Sequence, residues 1–290
     1  MKDKVQIHKY TTHFESPPNA LSSSGTIEGA LINHAGGYGC LQPWPSLGDD
    51  DLKYHLQSIV KNDLTEQAMA CLKCCEIDSM ARAKGIDLFN NLIIPRSHLL
   101  IPSVPVQGIS EDLKKDLEDF SHVKIKGNNE VLKVAHYIER IPKKISIRVD
   151  FNSSLEVEEF ILFTHELTPE AFQQIDFIED PFPYDPNLWE RYSDQSGLDF
   201  ALDRGPNDAD RGFSVRVWKP TISSHLPNHM PFCITHNMDH ELGRRYATYQ
   251  SAIAGNAVSV HGTGTFDMSK NGHGLGMTEI LDQLQWEELA

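Results

Sequence analysis

The sequence lacks several features that would place it in a membrane, secreted or nucleic-acid-binding class. No uninterrupted apolar run approaches the ~18 residues of a membrane span, and the opening residues, MKDKVQIHKYTTHFE, contain no apolar signal-peptide core. Cationic residues are scarce: 26 Lys and Arg stand against 41 Asp and Glu, a formal charge of −15. So acidic a surface repels nucleic acid and anionic membranes. We therefore expect a cytoplasmic protein with no nucleic-acid or membrane partner.

Cysteine is also scarce, with five residues in 290. Three of them, Cys71, Cys74 and Cys75, have the i, i+3, i+4 spacing of one helix face, and no second Cys/His pair completes a zinc pattern. Free Cys packs readily inside proteins. The spacing therefore predicts buried, reduced thiols on a helix rather than a metal site.

No repeat period and no low-complexity run divides the chain, and 40% of its residues are hydrophobic. This is enough for one large domain with a smaller one. Residues 1–89 are typical of an α+β lid domain. It would contain strands at VQIHKYTTHF and TIEGALINH, a turn-rich segment, AGGYGCLQPWPSLGDDD, and helices near 49–61 and 64–83. We expect a second domain over 90–270 and a C-terminal tail, 271–290, that packs back toward the lid domain.

From residue 90 onwards short apolar strands alternate with helices, which predicts βα units and a parallel sheet. The strand candidates are NLII, VKIK, ISIRVD, IDFIED, LDFALD, SVRVWK, FCIT and NAVSV. Eight strands suit an α/β fold of the (β/α) TIM-barrel type. The links from Asp203 to Ser214 and from Lys219 to Phe232 are too short for a helix and its loops, so helices 5 and 6 should be shortened or missing. A flavodoxin-like or Rossmann sheet is the alternative, but no phosphate-binding glycine loop follows the first strand candidate.

Charged residues close the central strand candidates. Asp150 ends the third, Glu179 and Asp180 end the fourth, Asp203 ends the fifth and Lys219 ends the sixth. A single acidic residue after a strand is usually a helix cap or a turn residue. Three successive acidic strand ends at one mouth of a barrel would repel one another unless a cation lay among them, and all-oxygen ligation suits Mg²⁺.

The second strand candidate carries two lysines, Lys124 and Lys126. They share a face because side chains alternate along a strand. Taken alone, the pair is typical of an exposed edge strand, where lysines prevent aggregation. Its position just before three acidic strand ends favours a catalytic role, because strand-end charges in such a barrel meet at one mouth.

The ordered set of a lysine pair, Asp, Glu, Asp and a further lysine resembles the enolase superfamily, in particular its muconate-lactonizing subgroup. GGYGCLQPWPSLGDDDL is similar to that family's glycine-rich lid segment. FCITHNMDHELGRRYATYQSAI resembles its seventh strand and following helix, and HGTGTFDMS resembles the stretch after the eighth strand. The resemblance covers nearly the whole chain. It implies an enzyme that acts on a small-molecule carboxylate with Mg²⁺, for which Mn²⁺ can substitute.

The resemblance also implies a role for each residue of the set. Lys126 matches the general base that removes a proton α to a carboxylate, and Lys124 would be the neighbouring positive charge that keeps it able to accept a proton. Lys219, on the opposite face, would be a second base or a fixed cation. The Mg²⁺ ligands would be Asp150, Glu179 and Asp203, oriented by Asn152, Arg148 and Asp239. The substrate-binding residues would be Thr235, His236, Asn237, Ser22 and Ser23.

Within the subgroup, IRVDFN and VWKPT resemble the o-succinylbenzoate synthases. This implies a lyase of menaquinone biosynthesis that dehydrates a succinyl-hydroxycyclohexadiene carboxylate to o-succinylbenzoate. N-succinylamino-acid racemases and dipeptide epimerases are alternatives, since they need two opposed bases and both Lys126 and Lys219 are present. A non-catalytic carboxylate-binding protein is a further alternative.

Some positions depart from the family pattern. Arg204 follows Asp203 where the family usually has Glu, and Asp239 also stands where Glu is usual. The seventh strand continues as Thr235-His236-Asn237 where serines are common. These departures bear on the identity of the substrate more than on metal binding.

The segment SPPNALSSSG, residues 16–25, has the small, polar composition of a gating loop, with an ordinary surface loop as the alternative. Shortening it should raise the KM and leave the barrel folded, because the substrate would be enclosed less completely. Steady-state kinetics and far-UV circular dichroism measure the two effects. Unchanged kinetics would show that the segment is only a connection.

Overall fold

The computed structural model describes residues 4–14, 25–105, 108–227, 230–255, 257–264 and 272–290. The expected gating loop, with Ser22 and Ser23, lies outside the described residues apart from Gly25. Most of the stretch HGTGTFDMS after the eighth strand also lies outside them.

The N-terminal part of the chain forms an antiparallel sheet covered by two helices. Its strands are β1 (Val5–His13), β2 (Thr26–His34) and β3 (Gly37–Leu41), and a short C-terminal strand, β13 (Glu287–Glu288), pairs with β1. The helices are α1 (Leu52–Lys61) and α2 (Glu66–Ala83), and a 3₁₀ turn, Pro45–Leu47, precedes α1. Asp51 and Thr65 cap the two helices by accepting backbone N–H groups of their first turns. The two strands and two helices predicted here are confirmed.

The glycine-rich segment that we expected to be turn-rich is in part a buried strand. β3 packs against α2, and a Cβ atom at Gly37 or Gly39 would clash with the backbone carbonyls of Cys75 and Cys71. Glycine is required because strand and helix backbones approach so closely. Cys71, Cys74 and Cys75 are buried and unpaired, as their helical spacing predicted.

The larger sheet is parallel and follows chain order. Its strands are β5 (Leu99–Ile101), β6 (His122–Lys126), β7 (Ser146–Asp150), β8 (Ile175–Glu179), β9 (Phe200–Leu202), β10 (Val215–Trp218) and β11 (Phe232–Ile234). A short strand, β12 (Val260–His261), pairs with β4 (Arg96–Ser97), and single bridges join β11 and Thr235 to residues flanking β12. Since β4 leads into β5, these pairings carry the curled sheet round toward its first strand. The TIM-type barrel is confirmed.

Helices cover the outside of the barrel unevenly. They are α3 (Glu111–Asp119), α4 (Val131–Ile138), α5 (Val157–Glu166), α6 (Pro169–Gln174), α7 (Pro186–Ser196) and α8 (Glu241–Ile253). A last helix, α9 (Thr278–Asp282), packs through Leu281 in a cluster with Leu31 and Tyr38 of the N-terminal sheet. No helix occurs among the described residues between β9 and β10 or between β10 and β11, which confirms the reduction of helices 5 and 6. Within the described ranges, no helix has the length and apolar character needed to cross a membrane.

Two of the eight strand candidates are misplaced. NLII, residues 91–94, is not a strand; the first barrel strand lies later, at Leu99–Ile101. Ile93 is 89% exposed, and Pro95 both lacks a backbone donor and restricts the residue before it. NAVSV contributes only Val260 to β12.

A buried arginine ties the barrel together from inside. Arg148 on β7 is 1% exposed; its Nε donates to Asp176 on β8 at 2.7 Å and its Nη1 to the carbonyl of Val260 on β12 at 3.0 Å. Its guanidinium also lies 4.7 Å from the centre of the Phe177 ring. The side chain therefore joins β7 and β8 to the far wall of the barrel.

Replacing this arginine should destabilise the fold. Arg148→Ala removes the closer of the two side-chain donors to the Val260 carbonyl and opens a cavity in the core, so the free energy of unfolding should fall by about 3 kcal/mol. Urea denaturation measures the loss. Arg191→Ala on the exposed face of α7 is the matched control and should change the free energy by no more than about 0.5 kcal/mol. Equal losses in both variants would contradict this account.

Candidate active site

The carboxyl ends of β6 to β10 bring the predicted lysines and carboxylates to one mouth of the barrel. β6 lies between β5 and β7, so the edge-strand interpretation of Lys124 and Lys126 is wrong. Lys126 pairs in register with Asp150, and Asp150 with Glu179. Because parallel strands in this register end together, their last side chains point into the same space.

Lys124 lies between two carboxylates and is only 6% exposed. Its Nζ is 2.7 Å from both oxygens of Glu179 and 2.8 Å from Oδ2 of Asp150. Lys126 Nζ lies 2.5 Å from the same Asp150 oxygen. The two lysines therefore share one carboxylate, and Lys124 alone reaches Glu179.

A second group of ion pairs lies at the ends of β9 and β10. Lys219 pairs with Asp203, and the neighbouring Arg204 reaches the N-terminal part of the chain. Its Nη1 donates to Oδ1 of Asp49 at 2.9 Å and to the carbonyl of Leu47 at 3.2 Å. Burial alone would raise the pKa of Asp203, but Lys219 and Arg204 lower it below its ordinary value.

The buried charges are not evenly compensated. Burial would raise the pKa of Asp150, but Lys124 and Lys126 hold it well below its usual range. For Glu179, burial and the Asp150 carboxylate raise the pKa to about 7 despite the Lys124 ammonium. Burial would lower the pKa of Lys124, yet Asp150 and Glu179 raise it above its ordinary value. A further positive charge beside Glu179 would restore the ionised form of its carboxylate.

This deficit of positive charge fits a divalent cation. Asp150, Glu179 and Asp203 offer only oxygen donors, the set that Mg²⁺ prefers. Within the described part of the chain, no three His, Cys, Asp or Glu side chains are already arranged as a metal site. Lysine ammonium groups contact the oxygens of these carboxylates instead. The donor set fits Mg²⁺, and the assignment of the three ligands stays a prediction.

A cavity of about 490 Å³ opens beside these groups. Its walls include the predicted residues Lys124, Lys126, Lys219, Asp203, Asn152, Thr235, His236 and Asn237. The N-terminal part of the chain contributes Trp44 and Leu47. Trp44 is buried, and its Nε1 donates to the carbonyl of Asn237 at 2.8 Å. The predicted substrate-binding residues that are described therefore do line one space, closed on one side by the N-terminal part.

Of the three residues expected to orient the ligands, only Asn152 contacts one of them. It donates from its side-chain and backbone nitrogens to Oδ1 of Asp150, the latter at 3.0 Å. Asp239 instead accepts the backbone N–H of Asn237 at 2.8 Å and the hydroxyl of Thr221 at 3.0 Å. It therefore joins the loops that follow β10 and β11. The third, Arg148, makes its described hydrogen bonds to Asp176, His98, Cys233 and the Val260 carbonyl, none of which is a predicted ligand.

Two polar groups in the cavity wall are available to a ligand. His236 Nδ1 accepts the backbone N–H of Met238 at 2.9 Å, so the neutral ring carries its proton on Nε2. Burial, reinforced by Arg244, lowers the pKa of His236 to about 3, which keeps the ring neutral. The hydroxyl of Thr235 is buried and has no hydrogen-bond partner among the described residues. Both groups can donate to an anionic or carbonyl oxygen.

Asp180 and His98 also line the cavity, although neither has a role predicted from the sequence. Asp180 is buried, and its carboxylate accepts the backbone N–H groups of Asp203 at 3.0 Å and Arg204 at 3.2 Å. It thus holds the end of β9 behind a predicted ligand. The doubled acid in IEDPF was an available signal for it. His98 contacts Arg148 Nη1 at 3.2 Å, and a lone histidine before a short strand gave no usable signal.

Comparisons of sequence point to the same family as the residue pattern. Residues 5–81 match the family model described as the N-terminal domain of O-succinylbenzoate synthase. An o-succinylbenzoate synthase from Bdellovibrio bacteriovorus is 25% identical over 332 aligned positions, covering 99% of this chain and 98% of that relative. The chain resembles the o-succinylbenzoate synthases of the enolase superfamily. The resemblance inferred from the order of strand-end charges is thereby confirmed.

Solved structures share the fold over the whole length of the chain. An N-succinyl Arg/Lys racemase from Bacillus cereus superposes with a TM-score of 0.77 at 14% identity, covering 99% of both chains. A dipeptide epimerase from Cytophaga hutchinsonii, complexed with Mg and the dipeptide D-Ala-L-Val, has a TM-score of 0.70 at 17% identity, covering 100% of both. At these identities the likeness shows the fold, a TIM-type barrel with an N-terminal strand-rich part.

Mg²⁺ binding should weaken as the pH falls below about 7. Glu179, whose pKa is raised to about 7 by burial and the Asp150 carboxylate, must lose its proton before it can act as the predicted ligand. The apparent affinity should then fall by up to about tenfold per pH unit. Isothermal titration calorimetry in buffers of different ionisation enthalpy should show proton release on binding at pH 6 and little at pH 8.

The same titration predicts how Mg²⁺ affects stability. The raised pKa of Glu179 means that its contribution to the stability of the metal-free protein is full below its ordinary pKa and is lost as the pH rises through about 7. Mg²⁺ should therefore raise the Tm more at pH 8 than at pH 6. Glu179→Gln should abolish the effect, and Glu190→Gln on exposed α7 should preserve it. A Mg²⁺ affinity that is constant between pH 6 and 8 would refute the assignment.

Proposed function

We propose that this protein is a Mg²⁺-dependent dehydratase that forms o-succinylbenzoate from a succinyl-hydroxycyclohexadiene carboxylate, a step of menaquinone biosynthesis. The observation that carries the proposal is the meeting of three lysines and three carboxylates, two of them fully buried, at one mouth of the barrel, beside a cavity of about 490 Å³. Similarity to an o-succinylbenzoate synthase along nearly the whole chain supports the choice of reaction.

The predicted metal ligands are Asp150, Glu179 and Asp203. When bound there, Mg²⁺ supplies a positive charge that binds the substrate carboxylate and stabilises the negative charge that grows on it as the α-proton leaves. Asn152 holds one of these carboxylates in place through Oδ1 of Asp150. Asp180 does the same for the end of β9 by accepting two backbone N–H groups. Asn152 and Asp180 thus hold two of the predicted metal ligands in place through hydrogen bonds.

Lys126 is the better placed of the lysine pair to act as the base. Its side chain is 19% exposed and lines the cavity, whereas the Lys124 side chain is 8% exposed and its Nζ lies among the oxygens of Asp150 and Glu179. Neutral Lys126 would take the α-proton of the substrate. The resulting ammonium would then give a proton to the departing hydroxyl, so that one molecule of water leaves and the ring becomes aromatic.

The opposite wall of the cavity would hold the substrate in place. Lys219 enters from β10 as a second cation and would stabilise the electron-rich ring through a cation–π contact. The Nε2–H of neutral His236 and the unpartnered hydroxyl of Thr235 would donate to substrate oxygens. These groups stay uncharged at neutral pH, so they select hydrogen-bond acceptors without adding to the charge of the site.

Racemisation of an N-succinylamino acid or epimerisation of a dipeptide is the second candidate, because both Lys126 and Lys219 line the cavity. Two opposed bases are what those reactions need. Incubation with N-succinylamino acids and with dipeptides in D₂O would reveal either activity as exchange of the α-proton. Dehydration of the cyclohexadiene carboxylate without such exchange would favour the first candidate, and exchange without dehydration would favour the second.

Replacing Lys126 and replacing Lys124 should have two different effects on the reaction rate. Lys126→Ala removes the proposed proton acceptor, so kcat should fall by about 10²–10⁴-fold, with Mg²⁺ affinity retained. Lys124→Ala leaves the base but removes a neighbouring positive charge, so the pH of maximal rate should rise. Product formation measured across a pH series, with Mg²⁺ titrations alongside, separates the two effects.

Lys126→Arg serves as the control for charge. It keeps the cation but not the ability to accept a proton, so it should be as inactive as the alanine variant. Equal and mild losses of kcat in Lys124→Ala and Lys126→Ala would contradict the assignment of Lys126 as the base and Lys124 as its neighbouring positive charge. Full activity in the presence of EDTA would contradict the proposed dependence on Mg²⁺.

A further inference from the structure

The loop that follows β10 is held by the N-terminal part of the chain. Glu66 is the first residue of α2, and its Oε1 accepts hydrogen bonds from three successive residues of that loop. The donors are Ser223 Oγ at 3.0 Å, Ser224 N at 2.8 Å, Ser224 Oγ at 3.0 Å and His225 Nδ1 at 2.8 Å. We refer to these contacts, from Glu66 to Ser223, Ser224 and His225, as the Glu66 anchor.

The anchored loop is continuous with Lys219. The backbone N–H groups of Ile222 and Ser223 donate to the carbonyl of Lys219 at 2.9 and 3.0 Å. The indole Nε1 of Trp218 donates back to the carbonyl of Ser223 at 3.0 Å. A displacement of Ser223 would therefore move the backbone of Lys219 and the side chain of Trp218, to which it is hydrogen-bonded.

Little else supports this loop from the outside of the barrel. Among the described residues no helix lies between β10 and β11, and a chamber of about 460 Å³ lies beside Ile222, Ser223 and His225. In a complete barrel a helix would pack over this strand. Burial would raise the pKa of Glu66, yet hydrogen bonds from His225 and Ser224 lower it below its ordinary value, so the anchoring carboxylate is ionised at neutral pH.

We infer that Glu66 is a positioning residue for Lys219: a carboxylate of the N-terminal part takes over the support that barrel helix 6 would give. The inference rests on the proposed function for the role of Lys219. The contact from Thr221 to Asp239 holds the other side of the same loop at 3.0 Å. With both contacts in place, the Lys219 ammonium is fixed against the cavity; with one removed, the side chain samples a wider space.

The test is a double-mutant cycle between Glu66 and Lys219. Glu66→Ala should lower kcat/KM by about tenfold, since small displacements of a reacting group are costly. Glu66→Gln, which keeps an acceptor oxygen, should lose less. In a Lys219→Ala background, Glu66→Ala should cause no further loss. Additive losses would show that Glu66 does not act through Lys219 and would overturn the inference. Glu76→Gln, on the exposed face of the same helix, is the matched control and should change nothing.

A second pair of measurements does not depend on turnover. The same cycle is run on the Kd of o-succinylbenzoate with Mg²⁺ present, and hydrogen exchange is followed in the peptide covering residues 218–227. Glu66→Ala and the double variant Ser223→Ala/Ser224→Ala should both speed hydrogen exchange in this peptide. Both should also weaken the binding of o-succinylbenzoate, but only in protein that retains Lys219. Unchanged hydrogen exchange in this peptide would show that the Glu66 anchor does not hold the loop and would overturn the inference. A wild-type protein that binds product with this coupling but dehydrates no substrate would refute the proposed function alone.

Discussion

The compensation of buried negative charge is the constraint on which the rest of the site depends. Four acidic side chains, Asp150, Glu179, Asp180 and Asp203, lie buried or nearly so at one barrel mouth. Removing an ionised group from water costs several kcal/mol unless a partner repays it. The strands that supply the acids are therefore flanked by strands that supply lysines, and Asp180 is paired with backbone N–H groups instead. Any ligand that binds here must therefore bind to carboxylates that already pair with lysine ammonium groups.

That balance extends beyond the barrel. Arg204 sits beside an acidic strand end and pairs with Asp49, so part of the compensating charge is fixed from the N-terminal part of the chain. The same part supplies Trp44 to the cavity wall and Glu66 to the loop that follows β10. These contacts lie on the side where helices 5 and 6 are reduced. The N-terminal part thus completes a barrel wall as well as covering its mouth.

The barrel and its charged strand ends could be predicted from the sequence because both are local patterns. An apolar run closed by a charge, as at Asp150 or Asp203, reports the strand and the place where it leaves the core. Contacts between distant segments leave no such trace. Glu66 and Ser224 are 158 positions apart, and nothing near either residue announces the other. The first barrel strand was misplaced for a related reason: NLII has strand composition, and only Pro95 argued against it.

Reaction chemistry and substrate choice belong to different parts of this site. Under the proposed function, the lysines and carboxylates would support any reaction that begins with loss of an α-proton, and the same fold occurs in an N-succinyl Arg/Lys racemase and a dipeptide epimerase. The choice of substrate would then depend on the rest of the cavity wall. Here that wall contains neutral His236, Arg204 and the hydroxyl of Thr235, which has no hydrogen-bond partner in the described part of the chain. Exchanging wall residues should therefore change which acid is bound while leaving proton abstraction intact, whereas exchanging Lys126 should remove activity toward every acid alike.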